Sequence, residues 1–76
     1  MNKLDRITVN PEIMNGQACI RGMRITVRRV LEAITTYRDW DKVIAEYPEL
    51  EHEDIRQALE FAALSLDDQV IALEAA

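Results

Sequence analysis

The 76-residue chain has one cysteine and one histidine. A single cysteine cannot close an internal disulfide, and together the two cannot supply the four ligands of a structural zinc site. No apolar run approaches the ~20 residues that span a bilayer. The opening stretch Met1-Asn2-Lys3-Leu4-Asp5-Arg6 has no apolar segment of the secretory kind. A reducing, cytoplasmic setting without membrane contact is therefore expected. Internal repeats, linkers and low-complexity segments are missing as well. So is a set of nucleophile, base and metal ligands: nothing orients Cys19 toward His52 as a reactive pair, and the scattered acids suit helix starts and solubility rather than a divalent metal. The expectation is a protein that is not an enzyme and carries no cofactor.

What is present is a folded composition, 49% apolar and 30% charged. A chain this short forms one domain and buries only about 60% of its unfolded surface, so a second subunit would supplement its core and a homodimer is expected. The net charge of −5 conceals a division. Residues 1–38 hold seven Lys and Arg against three carboxylates, whereas residues 39–76 hold two against eleven. Such asymmetry reads either as two surfaces facing a polyanionic and a basic partner or as solvated faces that drifted in charge.

Residues 1–25 read as a short β arm. Ile7-Thr8-Val9 is β-branched and stops at Asn10-Pro11; Asn15-Gly16 tolerates positive φ; Gln17 to Ile20 forms a strand ended by Arg21-Gly22, with Arg24-Ile25 pairing back. Residues 26–64 read as three helices. Thr26 caps the first, and Val27, Val30, Leu31 and Ile34 form its stripe. Asp39 caps the second, with Trp40, Val43, Ile44 and Tyr47 inward and Pro48 as its stop. Lys42 leaves that capping box incomplete. The third starts near Glu51 or His52, with Ile55, Ala58, Leu59, Ala62 and Leu66 as its stripe. Residues 65–76 form an amphipathic C-terminal helix, either a fresh one opened by Ser65 and Asp68 or a continuation of the third. The fold class is mainly α: a tri-helical, helix-turn-helix bundle with an N-terminal β-hairpin arm.

Two stretches carry a resemblance. The first is Ile7-x-x-Asn10-Pro11-x-Ile13-x-x-Gly16-x-x-Cys19-Ile20-x-Gly22-x-Arg24-Ile25-x-Val27; the second is Tyr47-Pro48-x-Leu50-x-x-x-Asp54-Ile55-x-x-Ala58-Leu59-x-x-Ala62. Over residues 5–64 the chain resembles the bacterial and archaeal domain of unknown function 433. That resemblance implies a homeodomain-like helix-turn-helix fold and an antitoxin role, VapB-like, in a type II toxin-antitoxin system. The partner it implies is a PIN-type ribonuclease toxin, bound and inhibited, with autoregulation of the operon through DNA. Gln17-Ala18 stands where the family commonly has Lys-Pro, Met23 where it has Thr, and Glu51 where it has a Ser or Thr cap. The first change removes a cation from the arm and the last adds a carboxylate beside a groove-facing helix.

Arg21, Arg24, Arg28 and Arg29 are the candidate phosphate contacts, because two on a turn and two opening a helix can form one patch of forked donors. The alternative is that Arg21 and Arg24 tie down the arm by pairing with Asp5, Glu12 or backbone carbonyls. On the third helix Glu53, Arg56, Gln57 and Glu60 are expected outward, and Arg56 and Gln57 are the candidate base readers. The two carboxylates beside them would repel a DNA backbone, so a plain solvated face is the competing reading. Leu66, Val70, Ile71 and Leu73 form an apolar, acid-edged tail, the candidate toxin-binding element; packing back on its own domain or on a twin subunit is the other reading. Cys19 is expected as a small buried hydrophobe, and Trp40 and Tyr47 as core. A protein-interaction adaptor with no DNA affinity is the alternative function.

Overall fold

The arm begins with the β-branched run. In the computed structural model, which describes residues 4–66, β1 (Ile7–Val9) pairs antiparallel with β2 (Ala18–Ile20) in the register Ile7 to Ile20, Thr8 to Cys19 and Val9 to Ala18. Their connection is built from turn chemistry. The Asn10 side chain accepts the Glu12 amide at 2.9 Å, the Asn10 carbonyl accepts the Ile13 amide at 2.9 Å, and one 3-10 turn (Met14–Gly16) follows. Gly16 has φ +80°, and a Cβ there would meet only Pro11 Cα at an ordinary van der Waals distance of 3.7 Å, so the left-handed backbone, not crowding, is what requires glycine there.

A second tight turn brings the chain back. Arg21 and Gly22 both have positive φ, 47° and 71°, and the Met23 amide donates to the Ile20 carbonyl at 2.8 Å. This is the primed geometry that suits strand twist. Beyond it the Ile20 amide donates to Ile25 and Cys19 bridges Thr26, so the return segment lies against β2 as the sequence led us to expect. A three-residue hairpin is too small to stand alone; it is held by the helices.

Thr26 caps α1 (Val27–Tyr37) by accepting the Arg29 amide at 3.0 Å. Arg38, at φ 58°, closes the helix in the left-handed region. Asp39 then caps α2 (Trp40–Glu46) through the Asp41 amide, and Tyr47-Pro48 ends it. α3 (His52–Ser65) starts where Glu51, its N-cap, donates its amide to the Asp54 carboxylate at 2.8 Å. α3 stops at Ser65 with Leu66 extended, so the chain does not continue as one helix through Leu66; the expected C-terminal helix otherwise lies outside the described residues. No helix among the described residues is long and apolar enough to cross a membrane.

The core is Ile20 from the arm, Val27, Val30 and Ala33 from α1, Val43 from α2, Leu50 from the α2–α3 turn, and Ile55 and Ala58 from α3. Tyr37, Trp40, Tyr47 and Phe61 close its edges, as the expectation for Trp40 and Tyr47 required. Burying each aliphatic side chain stabilises the fold by about 1.5–3 kcal/mol, and Ile20 is what anchors the arm to the bundle. Cys19 is buried beside it. One expectation is corrected. The stripe Ile55, Ala58, Leu59, Ala62 and Leu66 is rotated in the structure: Leu59 and Leu66 lie at the surface, 38% and 75% exposed, while Asp54 and Gln57 are buried instead. α3 turns that edge toward the arm because polar partners wait there.

Candidate functional site

Those partners come from three parts of the chain. Asp54 sits in the first turn of α3 with its side chain fully buried. Its carboxylate accepts Arg21 Nε at 3.1 Å and Arg21 Nη2 at 2.8 Å, Arg6 Nη1 at 3.1 Å, and the Glu51 amide. Arg21 Nη2 also donates to the Glu49 carbonyl at 2.6 Å, and Arg6 Nη1 to Glu51 Oε1 at 2.7 Å. Burial alone would push the Asp54 carboxyl up; the Arg21 guanidinium, the Glu51 amide and Arg6 outweigh it and hold the group below the ordinary carboxylate range. The same contacts raise both arginines, Arg6 chiefly through Glu51 and Arg21 chiefly through Asp54. Left-handed backbone at a non-glycine residue costs about 1 kcal/mol. At Arg21 the bidentate grip on Asp54 offsets it.

Gln57 completes this clasp. It accepts the Arg6 amide at 2.9 Å through Oε1, and its amide nitrogen donates to Asp5 Oδ1 and Glu53 Oε2, both at 2.9 Å. At 2% exposure it cannot present itself to a groove, which corrects its placement among the outward, base-reading residues. Arg56 does face outward, but Glu53 holds it on one side and Glu60 on the other, each within 2.9 Å. Glu53 is accordingly lowered to about 2, mainly by Arg56 and then by Gln57. Between them the two carboxylates engage three of its five N–H donors and compete with a base edge for the guanidinium.

The four-arginine patch is likewise corrected, because Arg21 turns inward to Asp54. The other three do converge. Arg24 from the turn and Arg28 and Arg29 from the first turn of α1 line one recess of about 300 Å³, with Met14, Gln17, Thr26 and Glu32. Arg28 leans toward Glu32 at 3.4 Å, and both are well exposed. Among the described residues, the Arg24 and Arg29 side chains have no ion pair or hydrogen bond. Sequence reasoning missed the Arg6–Asp54–Gln57 clasp; Asp54 next to Ile55 in the Leu50-x-x-x-Asp54-Ile55 stretch was its one visible signal. Of the proposed toxin-binding residues, Leu66 is at the surface beside exposed Leu64, and Val70, Ile71 and Leu73 lie outside the described residues. No group of three or more His, Cys, Asp or Glu side chains suited to a metal forms among the described residues.

Residues 7–62 match the family described as protein of unknown function DUF433, which is most of the chain. The chain belongs to the DUF433 family. A crystal structure of a DUF433 member protein from Anabaena variabilis ATCC 29413 is similar to it, with a TM-score of 0.74 and 28% identity over 80% of this chain. This chain covers 60% of that one. No curated protein matches the chain significantly. Within the matched region lie the two turns with positive φ, at Gly16 and at Arg21-Gly22, and the Asp54 carboxylate that ties the second turn to α3.

Proposed function

We propose that this DUF433 protein is a non-enzymatic, antitoxin-type regulator that neutralises a ribonuclease toxin and contacts operator DNA through the recess at the start of α1 rather than through α3. The observation that supports it is the convergence of Arg24, Arg28 and Arg29 on one turn-and-helix unit, two of them without a side-chain partner among the described residues. Exposed Leu64 and Leu66 at the end of α3 lead into the apolar, acid-edged tail, which suits a basic nuclease groove. A homodimer would supply two such recesses for a two-fold operator. The test is a gel-shift of the upstream operator DNA across a salt series. Binding should fall steeply with salt and vanish in Arg24→Ala/Arg28→Ala/Arg29→Ala, while Arg56→Ala binds as before. Retained binding in the triple variant would refute the assignment.

The second reading, an adaptor with no DNA affinity, draws on the pairing of Arg56 and the burial of Gln57, which leave α3 without a free reader. It expects no shift at any salt and intact toxin neutralisation in the triple variant. Deleting residues 66–76 should abolish neutralisation on either reading.

A further inference from the structure

The same recess has a more specific chemistry than a basic stripe. A duplex is gripped by cations spread along several phosphates. Here three arginines line one open recess of about 300 Å³, and Glu32 subtracts one charge, leaving a formal +2 in its lining. That volume is at the lower end of small-molecule sites. Thr26 lines it at 7% exposure; its hydroxyl oxygen accepts the Arg29 amide, and among the described residues its proton has no acceptor. Gln17 donates its amide to the Met14 carbonyl, which leaves its side-chain oxygen without a partner at the rim. Met14 adds an apolar surface next to it.

We propose that this recess binds a phosphomonoester dianion, the 5′-phosphate of a nucleotide or of a nucleic-acid strand end. Arg24 and Arg29 clamp the phosphoryl oxygens, the Thr26 hydroxyl donates to one of them, and Met14 and Gln17 receive the attached sugar. A dianion matches the local +2 more fully than an internal phosphodiester, which carries one charge. The proposal shares Arg24 and Arg29 with the operator reading and is separated from it by its dependence on a terminal phosphate.

The full chain would be titrated, by fluorescence anisotropy, into one 3′-labelled single-stranded DNA 12-mer carrying either a 5′-phosphate or a 5′-hydroxyl. The phosphate should tighten binding about tenfold or more, the scale of a charge-assisted bidentate contact. Arg24→Ala/Arg29→Ala should erase the difference with an unchanged melting curve, and Arg38→Ala, at the far end of α1, should keep it. Equal affinity for the two oligonucleotides, or a difference that survives in the Arg24→Ala/Arg29→Ala protein, would overturn the proposal. Competition by adenosine 5′-monophosphate but not adenosine assigns the site to the free phosphomonoester; a 5′-phosphate effect that the mononucleotide does not compete away assigns it to the strand end. Operator binding by a 5′-hydroxyl duplex is a separate readout, so loss of one interaction leaves the other interpretable.

Discussion

Replacing Asp54 by alanine should be the most damaging single polar substitution in the chain. The side chain accepts four hydrogen bonds, three from Arg6 and Arg21 and one from the Glu51 amide. Removing one partner from a buried ion pair costs about 3–5 kcal/mol. Arg6 and Arg21 keep 28% and 37% of their side chains in solvent and can rehydrate, which places the cost near the lower figure, about 3 kcal/mol. A domain of this size has roughly 4–11 kcal/mol in total, so the loss is a large fraction of it. At about 4–8 °C per kcal/mol, the melting temperature should drop by roughly 12–24 °C. In urea the midpoint should fall by about 2 M for a slope of about 1.5 kcal/mol per M. A double-mutant cycle with Arg21→Ala isolates the pair and should give a coupling of at least about 1 kcal/mol. If the two substitutions instead add within about 0.5 kcal/mol, the bidentate contact is not what holds the second turn to α3.

The clasp also sets an acid response. Because Asp54 is held below its ordinary pKa in the folded state, its stabilisation is complete above the ordinary carboxylate range and is lost as pH falls through the lowered folded value. Asp54→Asn should therefore narrow the melting-temperature gap to wild type as pH is lowered from 7 to 2.5; a constant gap would contradict this. Arg56→Ala removes two exposed pairs and should leave the urea midpoint close to that of the wild type. Gly22→Ala meets no neighbouring atom but forces a side chain into φ +71°, for a loss of about 1–2 kcal/mol in the same assay. Thr26→Ala deletes the α1 cap and should cost about 1 kcal/mol.

How far these elements could be foreseen depends on the range of the interaction. The α1 cap at Thr26 and its stripe through Val30 involve residues within two helical turns, and so do the Asp39 cap and the Pro48 stop; all are in the structure where the pattern places them. The Arg21-Gly22 turn was equally legible, since positive φ is a local property. The face of α3 was not. Periodicity assigns apolar residues inward and charged ones outward, and it put Leu59 in the core and Gln57 at the surface. The structure does the reverse because Arg6 and Arg21, 48 and 33 residues away in sequence, satisfy Asp54, and the Arg6 backbone and Asp5 satisfy Gln57.

The arginines show the same divide. Four of them within nine positions announced a cationic front end, yet only their tertiary surroundings separate a structural member from the exposed ones. A burial cost prohibitive for a lone carboxylate is offset once two guanidinium groups from the folded arm reach it, and that draws Arg21 inward. Arg24, Arg28 and Arg29 meet no comparable buried acid and stay at the recess. Helices, turns and caps were written in short-range stereochemistry; the assignment of each charge to scaffold or to surface waited on contacts that exist only after the chain has closed on itself.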